Sequence, residues 1–233
     1  MNAGNLFYSA KPILQSDRDI YLRQNRKVAD EKITIVQDPG LKEWEGRPLE
    51  GYYTADANGL KPQAVTLVER GIFRHQLCGM SPSLTSRSTT GNTRFGNPFV
   101  WNSPMGISTA PGVIRIESSR TMSLGKMRKL LLKEAKKEGY DHAYLKRGEF
   151  LYRVAVKDGK ETLIGLREIS LRPEYFRHVT ALSTEREAVR GREAGRAAFS
   201  IVGPKAIILS DREVPVATPE KRNQPVLTFP LNR

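Results

Sequence analysis

"FLYRVAVKDGKETLIGLREISL", residues 150–171, sets the class of fold. Two β-rich runs flank Lys157-Asp158-Gly159-Lys160, and an Asp-Gly pair between such runs is a strong local signal for a hairpin. Residues 48–77, "PLEGYYTADANGLKPQAVTLVERGIFRHQL", repeat the idea upstream. An extended run at 51–54 and a turn at 57–59 lead into the alternating "AVTLVE". Arg70-Gly71 then marks a tight turn, and "IFRHQL" returns as the second strand. "GVIRIES" at 112–118 alternates as a strand should, and "AIILSDREV" at 206–214 is a further one.

The clearest helix lies near 123–138, inside "TMSLGKMRKLLLKEAKKEGYD". Ser123 is placed to cap it, and Leu124, Met127, Leu131 and Ala135 share a face. Lysines crowd its C-terminal half, where they suit the dipole, and Gly139 provides the stop. "STEREAVRGREAGRAAF" at 183–199 opens with a capping-box pattern, Thr184 with Glu187. It predicts a turn or two of helix and then loop, because Gly191 and Gly195 would each cost about 1 kcal/mol relative to Ala in a helix. The elements together predict a strand-rich α+β fold of antiparallel hairpins and sheets with one clear helix. The chain divides into an N-terminal segment 1–29, a β-rich domain 30–214 and a Pro-punctuated tail 215–233.

With 233 residues, 39% hydrophobic and 27% charged, the chain has the composition of a soluble globular protein. Its 38 Lys+Arg against 25 Asp+Glu give a net charge of +13, which favours anionic partners. Nucleic acid is therefore one alternative partner. Against it, Lys126, Lys129, Lys133, Lys136 and Lys137 read as scattered around the helix, with no aromatic residues interleaved for stacking. A structural or dimerisation domain with no ligand is another alternative. Cys78 is the single cysteine, which rules out an intrachain disulfide and a multi-cysteine zinc site. The N-terminus lacks the pattern of a signal peptide, and no stretch approaches the roughly 20 apolar residues of a membrane helix. A cytoplasmic location without a membrane partner is expected.

Residues 81–112 are rich in Ser, Thr, Gly, Asn and Pro, and a connection of that length is often functional. Within it stands "STTGNTRF", residues 88–95. Gly91 and Asn92 readily accept positive φ, Thr90 adds a hydroxyl, and Arg94 offers a charged fork to an acidic group. Phe99 and Trp101 follow and read as core. The three histidines give no metal pattern: His75 reads as half-buried in a strand, His142 as a surface residue, and Glu174 with His178 lie beside Pro173 where a helix is doubtful. Cys78 reads as a buried strand-end residue. Neither a nucleophile elbow nor a phosphate-binding glycine motif is present. No catalytic residue, metal ligand or cofactor is expected.

The order of these features resembles the TldD/PmbA family of zinc metallopeptidases, also described as modulators of DNA gyrase. The family's D-x-x-G turn corresponds to Asp56–Gly59, and its T-x-L-I-x-x-G-x-L run to Thr66, Leu67, Val68, Gly71 and Phe73. Its T-G-N-x-R turn corresponds to Thr90, Gly91, Asn92 and Arg94. "KDGKETLIGLREISL" and "IVGPKAIILSDREV" look like the closing part, so the likeness spans residues 30–214. Active members carry H-E-x-x-x-H on an upstream helix, where the histidines bind zinc and Glu activates water. That motif is absent from this sequence. The position of a further family ligand, a Cys, falls on Gly191. The resemblance implies a C-terminal, non-catalytic part or subunit of such a peptidase. It would bind an unfolded peptide, or a partner subunit that carries the metal motif, as a homo- or hetero-dimer.

Overall fold

Both hairpins read from the sequence form. The computed structural model describes residues 24–56, 58–75, 91–92, 112–147, 150–166, 176–193 and 197–209. In chain order the first strands are β1 (Ile33–Gln37), β2 (Glu43–Trp44), β3 (Arg47–Pro48), β4 (Val65–Glu69), β5 (Ile72–Phe73) and β6 (Val113–Ser118). Helix α1 (Leu124–Lys137) follows, then β7 (His142–Arg147), β8 (Phe150–Ala155), β9 (Glu161–Leu166), β10 (Val179–Leu182), β11 (Arg186–Glu193), β12 (Ala197–Pro204) and β13 (Ile207–Leu209). The fold is α+β and strand-rich, with one α-helix among the described residues.

A six-stranded sheet in the order β11-β12-β6-β1-β4-β5 forms the centre. Its pairings are antiparallel except β12 with β6, which run parallel. Alternation fixes its two faces. Ile33, Ile35, Ile114, Ile116, Phe199 and Ile201 turn to one side, where Phe176 and, from the β10–β13 layer, Val179, Leu182 and Ile207 cover them. On the other side Val113 and Val202 pack with Leu49, and Leu41, Trp44 and Ala188 lie against them. Arg186 stacks its guanidinium 4.7 Å from the Trp44 ring and donates to the Ile116 carbonyl at 3.0 Å. Arg115 Nε stands 3.0 Å from Asp38 Oδ2, close enough for an ion pair though not aligned for a hydrogen bond.

The β4–β5 turn has left-handed φ at both Arg70 and Gly71, 45° and 77°, as a two-residue hairpin of type I′ requires. The returning strand is shorter than the sequence predicts: pairing is Val68↔Phe73 and Glu69↔Ile72. In the β8–β9 hairpin Asp158 Oδ1 accepts from the Lys160 N–H at 2.9 Å, closing an Asx turn. With β7 these strands make a three-stranded sheet, and α1 packs on it with Met127 and Ala135 buried. Arg128 ties helix to hairpin by donating to the Gly159 carbonyl at 2.6 Å and pairing with Glu161 at 2.9 Å.

Two expectations change. Ser123 occupies the N-cap position of α1, but its side chain makes no capping bond. The Glu185 carboxylate takes that place, both oxygens 3.2 Å from the Leu124 N–H, where negative charge suits the helix dipole. Residues 184–193 are not helical. Thr184 belongs to a segment bridged to Met122, and Arg186–Glu193 is strand β11, paired along its whole length with β12. Gly191 faces Phe199 across that ladder, and a Cβ there would lie 2.5 Å from the ring's Cζ. The glycine that counts against a helix is the one that makes room for a neighbour in the sheet.

Candidate functional site

One end of the central sheet gathers Gly91 and Asn92, two of the residues singled out in the sequence. Here β1 ends at Gln37, opposite Val65 at the start of β4 and Ile114 of β6. The segment 49–53 crosses this end. Glu50 is bound on both backbone sides by the buried Ser200 hydroxyl, which accepts from its N–H and donates to its carbonyl, each at 2.8 Å. Gly51 then passes so close to the start of β12 that a Cβ would meet the Ala198 carbonyl oxygen at 2.5 Å and that of Gly112 at 2.7 Å. Its φ of +86° adds a second reason for glycine.

Tyr53 is the pivot of the cluster. Its hydroxyl donates to Asn92 Oδ1 at 2.7 Å, and its ring lies 3.1 Å from where a Gly112 Cβ would sit. The described residues on either side of 93–111 are therefore both seated on Tyr53. Asn92 is buried, with 1% of its surface exposed. Gly91 takes φ +63° and lies against Lys61, whose carbonyl oxygen would be 2.3 Å from a Cβ. Lys61 in turn follows a turn built by Asp56, whose Oδ1 accepts from the Asn58 and Leu60 N–H groups at 2.9 Å each. The D-x-x-G and T-G-N turns thus meet through Lys61 and Tyr53.

Gln37 completes the cluster. It is 1% exposed, and its amide Nε2 finds no acceptor among the described residues. A buried amide proton left in that state costs about 1–3 kcal/mol, so its retention calls for a role. The sequence reading missed Gln37 and Tyr53. The signal was present for Gln37: it is a polar residue continuing the alternation of Ile33 and Ile35 into the core face.

Of the four residues proposed from the sequence, Gly91 and Asn92 lie in this cluster, while Thr90 and Arg94 are outside the described residues. Cys78, Phe99, Trp101 and Glu174 are outside them too. His75 is exposed just past β5 rather than half-buried in a strand, because pairing ends at Phe73. His142 is half-buried on β7, bonded to Asp141 and 3.1 Å from the Tyr144 hydroxyl. His178 is exposed. Among the described residues no three His, Cys, Asp or Glu side chains converge as a metal site would need. Gly191, where the resemblance puts a cysteine ligand, offers no side chain and has the Phe199 ring in the space one would take. These residues do not fit a zinc ion.

Two solved structures share the fold. TldE from Thermococcus kodakarensis superposes with a TM-score of 0.52 at 16% identity, covering 89% of this chain and 48% of its own. A protein described as a modulator of a DNA gyrase, from Thermotoga maritima, gives 0.53 at 14% identity, covering 88% and 46%. The likeness to both is one of fold. Residues 8–136 match the model of the PmbA/TldA metallopeptidase C-terminal domain, and the chain belongs to this family. A protein named metalloprotease from Archaeoglobus fulgidus is 31% identical over 85 residues, 36% of this chain and 19% of the relative. The chain thus spans about half the length of the solved structures it matches, and the segment aligned with the metalloprotease is a smaller share still.

Proposed function

We propose that this domain supplies part of the peptide- or partner-binding surface of a TldD/PmbA-type metallopeptidase and leaves zinc and its ligands to another part of the assembly. The observation that carries this reading is the anchoring of Asn92. Arg94 is two residues further on, so covalent reach keeps its Cα within about 7 Å of a buried, hydrogen-bonded residue. A guanidinium carried at that point of the sequence can take a carboxylate in a two-pronged hydrogen bond. The Gln37 amide at the same end, without an acceptor among the described residues, supports a polar ligand or a contacting loop there. An eight-residue edge strand, β11, borders the sheet and pairs with the β12 residues that Gly51 touches. Such an edge offers main-chain groups to an extended peptide.

Titration of a fluorescent unfolded peptide, or of a partner chain carrying H-E-x-x-x-H, tests the reading. Arg94→Ala is expected to weaken binding about tenfold, near 1.4 kcal/mol, at unchanged melting temperature. Equal affinity of variant and wild type would remove Arg94 from the surface. Stoichiometric zinc together with hydrolysis by the purified chain alone would overturn the non-catalytic assignment.

A further inference from the structure

The lysines of α1 are not scattered. At about 100° per residue, Lys126, Lys129, Lys133, Lys136 and Lys137 fall within an arc of about 100°, opposite the face that buries Met127 and Ala135. All five are exposed, and none forms an ion pair with another described residue. Arg128, the cation on this helix that does pair, points elsewhere. Lysines three or four residues apart stand about 4.5–6 Å from one another along the axis, a spacing that a regular polyanion can follow. The stripe ends at an exposed aromatic. Gly139 and Tyr140 close the helix by donating to the carbonyls of Lys136 and Ala135 at 3.1 and 2.9 Å, which fixes Tyr140 with 58% of its surface open.

We propose that this face of α1 docks a single-stranded nucleic acid, its phosphates on the lysine stripe and an unpaired base on Tyr140. Single-strand binding combines these two parts, a row of cations and a stacking ring. An anionic membrane suits the helix less well, since its apolar face is already committed to the β7–β9 sheet and has nothing to insert. An acidic protein would not call for the open ring.

The test is fluorescence anisotropy of a labelled oligothymidylate with the full chain at several salt concentrations. Five phosphate contacts predict a slope of log K against log salt of about −3.5. The triple variant Lys129→Glu, Lys133→Glu, Lys136→Glu should lower its magnitude by about 2 and the affinity by more than about tenfold. A control triple, Lys27→Glu, Lys157→Glu, Lys160→Glu, changes net charge equally on other exposed lysines and should leave the slope nearly intact. Tyr140→Ala should weaken the single strand more than a duplex of the same sequence. Circular dichroism of each variant establishes that it is folded. Equal loss in both triples would overturn the proposal, because net charge would then explain the binding. So would tighter binding to polyglutamate or to phosphatidylserine vesicles than to the oligonucleotide.

Discussion

Two side chains show how single groups hold the site and the sheet. Tyr53 gives its hydroxyl proton to Asn92 and so fixes the end of the T-G-N turn. Tyr53→Phe should cost about 1–2 kcal/mol, read from urea unfolding, because the buried Asn92 oxygen loses that donor. Asp30 joins the start of β1 to β10: Oδ1 accepts from the Lys32 N–H and ammonium at 3.0 and 3.1 Å, and Oδ2 from the Val179 N–H at 3.1 Å. Burial alone pushes this carboxyl up, but the bonds from Lys32 and Val179 and the Lys32 charge outweigh it and hold the group below its ordinary 3.8. The native state then binds fewer protons than the unfolded chain in acid. The stabilisation is complete above the ordinary value and is lost as pH falls below it through the native one. Asp30→Asn should be less stable at neutral pH by about 2 kcal/mol. That gap should shrink on acidification below the ordinary carboxylate range. A gap constant from pH 7 to 3 would show that shape, not charge, carries the effect. Glu187 titrates in the opposite sense. Burial raises its carboxyl, with Lys205 partly offsetting, so Glu187→Gln should gain relative stability as pH rises through the native value.

At the scale of elements, the sequence was legible where the signal is local. The Arg70-Gly71 and Asp158-Gly159 turns announce their hairpins because turn chemistry depends on the turn residues themselves. The helical spacing of Met127 and Ala135 and the stop at Gly139 mark α1 for the same reason, whereas the capping carboxylate comes from Glu185, 61 residues away from Leu124. β11 was illegible because its Thr184/Glu187 pattern mimics a helix start, while its strand character comes from β12, which is adjacent in space and pairs along all eight residues. The lysine stripe was readable from the helical period and needed only the angles. Gln37 and Tyr53 were hidden because their meaning lies in contacts with Gly112 and Asn92, 75 and 39 positions away by number. The Gly191–Phe199 contact makes a measurable claim. Gly191→Ala should destabilise by about 1–3 kcal/mol through overpacking, and Phe199→Leu in the same chain should recover part of it. Additive losses in the double variant would mean that the ring does not press on this position.

In the whole molecule, β6 and β12 lie side by side in the central sheet, yet α1, β7, β8, β9, β10 and β11 come between them in the chain. The α1–β9 unit is held by contacts close in sequence, whereas in the central sheet β1 is flanked by β4 and β6, and beyond β6 the sheet waits for β12 and β11. Local contacts form faster than distant ones. Pulse-labelled hydrogen exchange during refolding should therefore protect amides of β7–β9 before those of β12, and the reverse order would contradict the topology. The same connectivity bears on synthesis. At roughly 5–20 residues per second, β6 leaves the ribosome several seconds before β12 can pair with it. Through that interval the backbone edge of β6 at Val113, Ile114 and Arg115, which β12 later pairs, is an open strand edge in a crowded cell. Slower growth or a holding chaperone should raise the yield of folded chain more than any change at the surface of the finished protein.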